Sequence, residues 1–258
     1  GTPLQWNRQY LVGSAICSRS AGDQPGQPWS GYKSGDNREG SGMDVLQEFK
    51  QPRTVSGGLY DTLLIAEQHG LLGSLVWNDT VRHLRHYHDR FIEANPQGRS
   101  WFYEAWLDVS DKGDPRAWIA YERAASLRWQ CITERINHSL KAEGRNDRIE
   151  ALPAGAALVG LIERATSAAG LPGVTRSSVR QTVDSLINDT VHLTPLGSYY
   201  MALVSYSYLF NRSPAGAWKP QEVAADTAKA LQETAWQLVQ QERQQRRRLD
   251  VRQCDHLM

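Results

Sequence analysis

The sequence predicts an α/β protein with a mostly parallel sheet between layers of helices, a three-layer α/β/α arrangement. Three observations predict it. Short apolar runs at "YDTLLIA" (60–66), "SWFYEAW" (100–106) and "RIEALPAG" (148–155) alternate with helical patterns. Strand–helix–strand alternation implies right-handed crossovers, and these give parallel strands with helices on both faces. Finally, 258 residues at 40% hydrophobic suffice for one large domain or at most two small ones.

The elements follow in order. Residues 18–42 are dense in Gly, Ser, Pro and Asp and are expected to form a long exposed loop. A short helix is expected at 43–50. The run 60–66 follows Gly57-Gly58 and is expected to be a buried parallel strand. "TVRHLRHYHDRFIEANP" (80–96) is expected to be a helix, with Asp79 or Thr80 accepting from its first N–H groups and Asn95-Pro96 stopping it. After the strand at 100–106, Pro115–Lys141 reads as a long amphipathic helix. Its expected inner side is Trp118, Tyr121, Ala125, Leu127, Ile132 and Ile136. The strand at 148–155 leads into a helix at about 156–169 and a loop around Pro172 and Gly173.

"LTPLGSYYMALVSYSYLF" (193–210) has a clear helix start, with Thr194 as N-cap and Pro195 at the first helical position. The Gln/Arg/Ala-rich stretch 220–249 is a last helix, and "QQERQQRRRLD" reads as its solvated end. The expected organisation is an α/β domain at 1–218 followed by a C-terminal helix and tail at 219–258.

Composition removes several function classes. Lys and Arg total 29 against 28 Asp and Glu, a net charge of +1, so there is no general attraction to nucleic acid or to an anionic membrane. No apolar run approaches the roughly 20 residues that span a bilayer. Cys17, Cys131 and Cys254 are far apart and odd in number. They exclude a full disulfide framework and a CxxC-type metal site, and leave room for one bridge. No cofactor is expected.

In parallel sheets of this kind, ligands bind at the carboxyl ends of the strands. The segments of interest are therefore 1–6, 67–77, 104–111, 153–155 and 189–194. "NDTV" occurs twice, at 78–81 and 188–191, each time just before a histidine. Asp189 and His192 lie in a turn before a capped helix. There the carboxylate can take the Nδ1–H of the imidazole and leave Nε2 as a general base. Asp79 and His83 sit at the start of a complete helical pattern, where Asp79 is expected to cap. His83, His86 and His88 are expected on a solvated helix face, with no metal site. Trp77, Trp101, Trp106, Trp118 and Trp129 mostly fall at apolar positions of their elements, where core packing is the expected role. Trp6 and Trp77 also lie near strand ends, where they are candidates to line a pocket for an acyl or sugar group. Glu67, Gln68 and His69 end the 60–66 strand, and a backbone N–H with a side-chain amide there would make half of an oxyanion hole.

"YDTLLIAEQ", "WNDTVRHLRHYHDRFIEANPQGRSWFYEAW", "RIEALPAGAAL" and "INDTVHLTPLGSYYMALVSYSYLFNRSP" together resemble the SGNH (GDSL-type) hydrolase superfamily. The similarity covers most of residues 1–215, and its most specific part is Asp189-Thr-Val-His192 before "LTPLG". The resemblance implies a three-layer, flavodoxin-like fold and ester hydrolysis by a serine, with His192 as general base and Asp189 orienting it. "GTPLQWN" looks like the segment after the family's second strand, which makes Gly1 the oxyanion glycine. The first strand and the nucleophile block are absent, so the serine is expected N-terminal to Gly1. Ser14 follows a short apolar run, but a Gly-rich stretch comes after it. The family's Gly-x-Asn-Asp is replaced by Glu67-Gln68-His69. The implied substrate is a small-molecule or carbohydrate ester with a short acyl group, and a secreted or periplasmic location would suit it. The alternative is a non-catalytic SGNH-like protein that keeps the pocket and binds a ligand.

Overall fold

The computed structural model describes residues 4–20, 30–50, 53–246 and 254. They form a mixed α/β protein that divides into two compact units. The first holds residues up to Tyr103 and Trp129–Ala151, and the second holds Glu104–Arg128 and Leu152 onward. This division cuts across the boundary expected at 218/219.

In the first unit, β1 (Asn7–Gln9), β2 (Ser34–Asn37) and β3 (Gly42–Asp44) form an antiparallel sheet in that order. β2 and the first residue of β3 lie in the stretch expected to be loop, of which 21–29 fall outside the described residues. Turn chemistry, not apolar alternation, makes this sheet. Asn37 Oδ1 accepts from the N–H groups of Glu39 and Ser41, both at 2.9 Å, and Gly40 takes the left-handed φ of 75° that the β2–β3 turn needs. Gly35 is required for another reason: a Cβ there would lie 2.0 Å from the Arg8 carbonyl oxygen across the ladder. Two short helices, α1 (Ile16–Ser20) and α2 (Val45–Lys50), belong to the same unit.

A second sheet is parallel, ordered β4 (Thr62–Ala66), β5 (Arg99–Tyr103), β6 (Ile149–Leu152), with Thr62 opposite Arg99 and Ala66 opposite Tyr103. Three strands are shown parallel, as the alternation predicts. β4 is not the fully buried strand expected, because it lies at the sheet edge and Leu64 is 44% exposed. The central β5 buries Trp101 and Phe102, and the Phe102 ring meets Trp129 at 5.7 Å between centroids.

Between β4 and β5 run α3 (Leu71–Val76) and α4 (Thr80–Ala94). Thr80, His83, Leu84, Tyr87, His88 and Phe91 are the buried side of α4, at helical spacing. Asn95 is its C-cap, and the following proline stops it as expected. Residues 129–142 of α5 (Arg116–Ala142) add Ile132, Ile136 and Leu140 to this core.

The second unit is helical: residues 116–128 of α5, then α6 (Ala154–Thr166), α7 (Val179–Asp184), α8 (Pro195–Phe210) and α9 (Ala225–Arg246). α6 is buried nearly all round because its small residues admit close neighbours. A Cβ on Gly160 would meet the Leu238 methyls at 2.8 Å. Thr194 caps α8 by accepting from Gly197 N–H, with Pro195 first in the helix, as its sequence predicts. Gly197 then packs against the chain before the turn, where a Cβ would lie 2.2 Å from Leu186 O.

α9 is not a separate appendage, and the described part of its end is not simply solvated. Gln232 Nε2 donates to the Tyr199 hydroxyl of α8 at 3.0 Å. Arg243 stacks 4.6 Å from the Tyr208 ring, and Arg246 bonds the buried carboxylate of Glu104. The periodic Leu231, Ala235 and Val239 carry this packing, and the Gln/Arg letters hide it. Cys17 is a free thiol, whereas Cys131 and Cys254 are in the disulfide form.

Candidate functional site

The second "NDTV" forms a closed turn. Ile187 and Leu193 pair as an antiparallel bridge, Asn188 N–H donates to His192 O at 2.7 Å, and Thr194 N–H donates to Leu186 O at 2.9 Å. Inside this stem, Asp189 Oδ1 accepts the N–H groups of Val191 and His192, both at 2.8 Å. Its Oδ2 lies 2.7 Å from His192 Nδ1.

One short side chain thus fixes the backbone with one oxygen and the imidazole with the other. The two backbone N–H groups, and then the imidazole, hold the Asp189 carboxyl far below the usual carboxylate range. An ionised Asp189 can only accept, so Nδ1 carries a proton, and in the neutral ring Nε2 has the lone pair. The His192 side chain is 70% exposed.

The segment after β5 braces the turn from outside. Val109 N–H donates to Thr190 O at 2.8 Å, the Trp106 indole donates to Val191 O at 2.9 Å, and Thr190 Oγ1 donates to Asp108 Oδ1 at 3.2 Å. Trp106 was expected only in a core role. Its donor function shows once the indole N–H is counted as a group that must find a partner.

The first "NDTV" is built differently. Asp79 has a left-handed backbone, φ 47°, and its side chain caps no helical N–H. It is drawn instead to Arg82 Nε at 2.7 Å. Thr80 does not cap either; its hydroxyl donates to Glu67 Oε2 at 2.6 Å. His83 Nδ1 meets the Ser20 hydroxyl in the interior.

The histidine-rich face of α4 is therefore not a wet one. His83 and His88 are buried, and His88 joins Ser100 Oγ (2.9 Å) to Asp147 Oδ2 (2.8 Å). Burial pushes the His88 imidazole down, against the pull of Asp147, whose own carboxyl is lowered to about 2 by Arg145. Ser100, His88 and Asp147 match a hydrolase triad in letters, but Ser100 and His88 are enclosed and reach no substrate. Among the described residues no group of three or more His, Cys, Asp or Glu could hold a metal ion.

Glu67, Gln68 and His69 lie in the first unit. Glu67 is buried, and its Oε1 accepts from Ile16 N–H at 3.0 Å and from Gln68 N–H at 2.8 Å. The Gln68 N–H is thus already donated within the chain. His69 is exposed, as is Trp77, by 82%, at the C-cap of α3. Trp6 is half-buried with Arg8 5.4 Å from its ring, and Ser14 turns its hydroxyl onto Leu11 O at 2.7 Å. Gly1 falls outside the described residues.

A pair of buried carboxyls in the second unit is not singled out by any sequence motif. Glu104, just after β5, bonds Arg246 and accepts from Ser126 Oγ at 3.3 Å. Glu122 Oε1 accepts from Leu107 N–H at 2.6 Å, and its other oxygen lies where a Cβ on Gly155 would come within 2.8 Å. Burial pushes both carboxyls up to about 7, and the charge of Glu104 adds to the rise at Glu122.

Together these features define a mixed α/β protein that carries an exposed histidine oriented by an ionised carboxylate. No family model, curated protein or solved structure matches the chain. No described helix is long and apolar enough to cross a membrane.

Proposed function

We propose that the protein is a serine ester hydrolase of the SGNH type, with the three-layer fold of that superfamily, acting on a short-acyl ester of a carbohydrate or similar alcohol. The Asp189–His192 geometry carries this reading: a 2.7 Å contact from an ionised carboxylate to Nδ1, on a side chain that is 70% exposed. In the reaction, His192 Nε2 takes the proton of a serine hydroxyl as its oxygen attacks the ester carbonyl. The imidazolium, stabilised by Asp189, then returns that proton to the departing alcohol, and water repeats the cycle on the acyl-enzyme. The disulfide form of Cys131 and Cys254 supports an oxidising, secreted or periplasmic setting.

A non-catalytic binding role is the second reading. The observation favouring it is the Gln68 N–H, an expected oxyanion donor that is spent on Glu67. One assay separates the two. The full-length protein should hydrolyse p-nitrophenyl acetate, and His192→Ala should lower the rate by about 10⁴-fold or more. Equal, measurable rates would remove His192 from the mechanism, and no hydrolysis by the native protein would leave the binding reading.

A further inference from the structure

Lys112 is nearly enclosed, at 8% exposure, in a segment with no recognisable motif. An ammonium has three donors and no acceptor. All three are matched here: Nζ lies 2.8 Å from Asp184 Oδ1, 2.8 Å from Ile187 O and 3.1 Å from Asn188 O. Asp184 ends α7, and the two carbonyls belong to the peptides immediately before Asp189. Fixing the Asn188 carbonyl fixes the plane of the peptide whose nitrogen belongs to Asp189. The ammonium therefore sets the position from which Asp189 reaches Val191, His192 and the imidazole. A buried cation needs compensation, and the Asp184 carboxylate supplies it from a side chain that is 47% exposed. The Lys112 ammonium bonds Asp184 and the two carbonyls, and it bonds neither Asp189 nor the imidazole.

We propose that Lys112 is a positioning residue for the Asp189–His192 pair: it clamps the two peptides that precede Asp189 and so fixes the tautomer and direction of the His192 ring. The proposal rests on the reading of His192 as the general base only for its kinetic consequence. Its geometric consequence stands apart, because a ring held by Asp189 keeps its proton on Nδ1 whatever the protein does.

The test measures both in the full chain, with Lys112→Met, Lys112→Arg and Asp184→Asn. Nitrogen-15 imidazole spectra report which His192 nitrogen carries the proton, and thermal melts report folding. In the native protein the Nδ1–H tautomer of His192 should dominate. In Lys112→Met that dominance should be lost, while Lys112→Arg, which keeps charge and donors, should restore much of it. On p-nitrophenyl acetate, Lys112→Met should lower kcat by about 100-fold, the order expected for a misplacement near 1 Å, with KM little changed. An unchanged tautomer in a folded Lys112→Met overturns the proposal. Where that variant does not fold, Asp184→Asn decides, since it slackens the same clamp: a native-like tautomer there overturns the proposal, and a weakened one supports it. If the tautomer shifts while even the native protein hydrolyses no ester, the clamp stands and the hydrolase reading falls. If His192→Ala abolishes hydrolysis while Lys112→Met leaves both kcat and tautomer intact, the hydrolase reading stands and the clamp falls.

Discussion

Glu122→Gln should change how the stability of the protein depends on pH. Glu122 is 1% exposed, and burial raises its carboxyl from an ordinary 4.5 to about 7. In the unfolded chain the same group titrates near its ordinary value. Between pH 4.5 and pH 7 the folded state therefore holds a proton on Glu122 that the unfolded state has released. Stability must fall as pH rises through that window. The contribution is complete below 4.5 and is gone above about 7. At about 1.4 kcal/mol for each tenfold in proton concentration, the span corresponds to about 3 kcal/mol. Glutamine keeps an oxygen for the Leu107 N–H and does not titrate. His88, whose imidazole is lowered, has the opposite slope, but it is present in both proteins and cancels in the comparison. Urea unfolding followed by tryptophan fluorescence, at steps from about pH 4.5 to about pH 8, measures the difference. The variant should gain about 3 kcal/mol on the native protein across the range. Two curves that stay parallel would show that Glu122 folds with an ordinary carboxyl and would refute the burial argument.

Two further outcomes follow from the same geometry. Asp189→Asn keeps an oxygen for the Val191 and His192 N–H groups but presents an amide where Nδ1–H needs an acceptor, so ester hydrolysis should fall by about 10⁴-fold with little change in melting temperature. His88→Ala removes a fully enclosed ring and its bonds to Ser100 and Asp147, which should lower the urea-unfolding free energy by about 3 kcal/mol while hydrolysis per folded molecule stays unchanged; a loss of turnover there would make the buried Ser100–His88–Asp147 set functional after all.

The sequence shows most clearly what local chemistry decides. Thr194-Pro195 announces α8, Asn95-Pro96 ends α4, and the three apolar runs mark the parallel strands. Asp189 and His192 are legible because an aspartate two and three residues before free N–H groups closes a turn by itself. What the sequence hides depends on partners far along the chain. Asp79 looks like a cap, yet Arg82 competes for its carboxylate, while Thr80 is claimed by Glu67, thirteen residues earlier. The burial of His83 and His88 needs Ser20, Ser100 and Asp147, none of which a helical pattern can supply. Lys112 reads as one more surface charge until the carbonyls of residues 187 and 188 fold onto it. The antiparallel sheet escapes notice for a different reason: its strands are three or four residues long and mostly polar, and the Asn37 turn sets the β2–β3 pairing.

Glu67 has a consequence for how the first unit opens. One buried carboxylate receives the leading N–H of α1, the hydroxyl that begins α4 and the N–H that follows β4. Releasing any one of these donors strips a partner from a buried polar group, so a local fluctuation in one segment raises the free energy of the other two. Fraying is thereby made collective. The three segments should open and close as one cooperative unit, with their amides sharing a common protection against solvent exchange, although the chain between α1 and β4 is more than forty residues long.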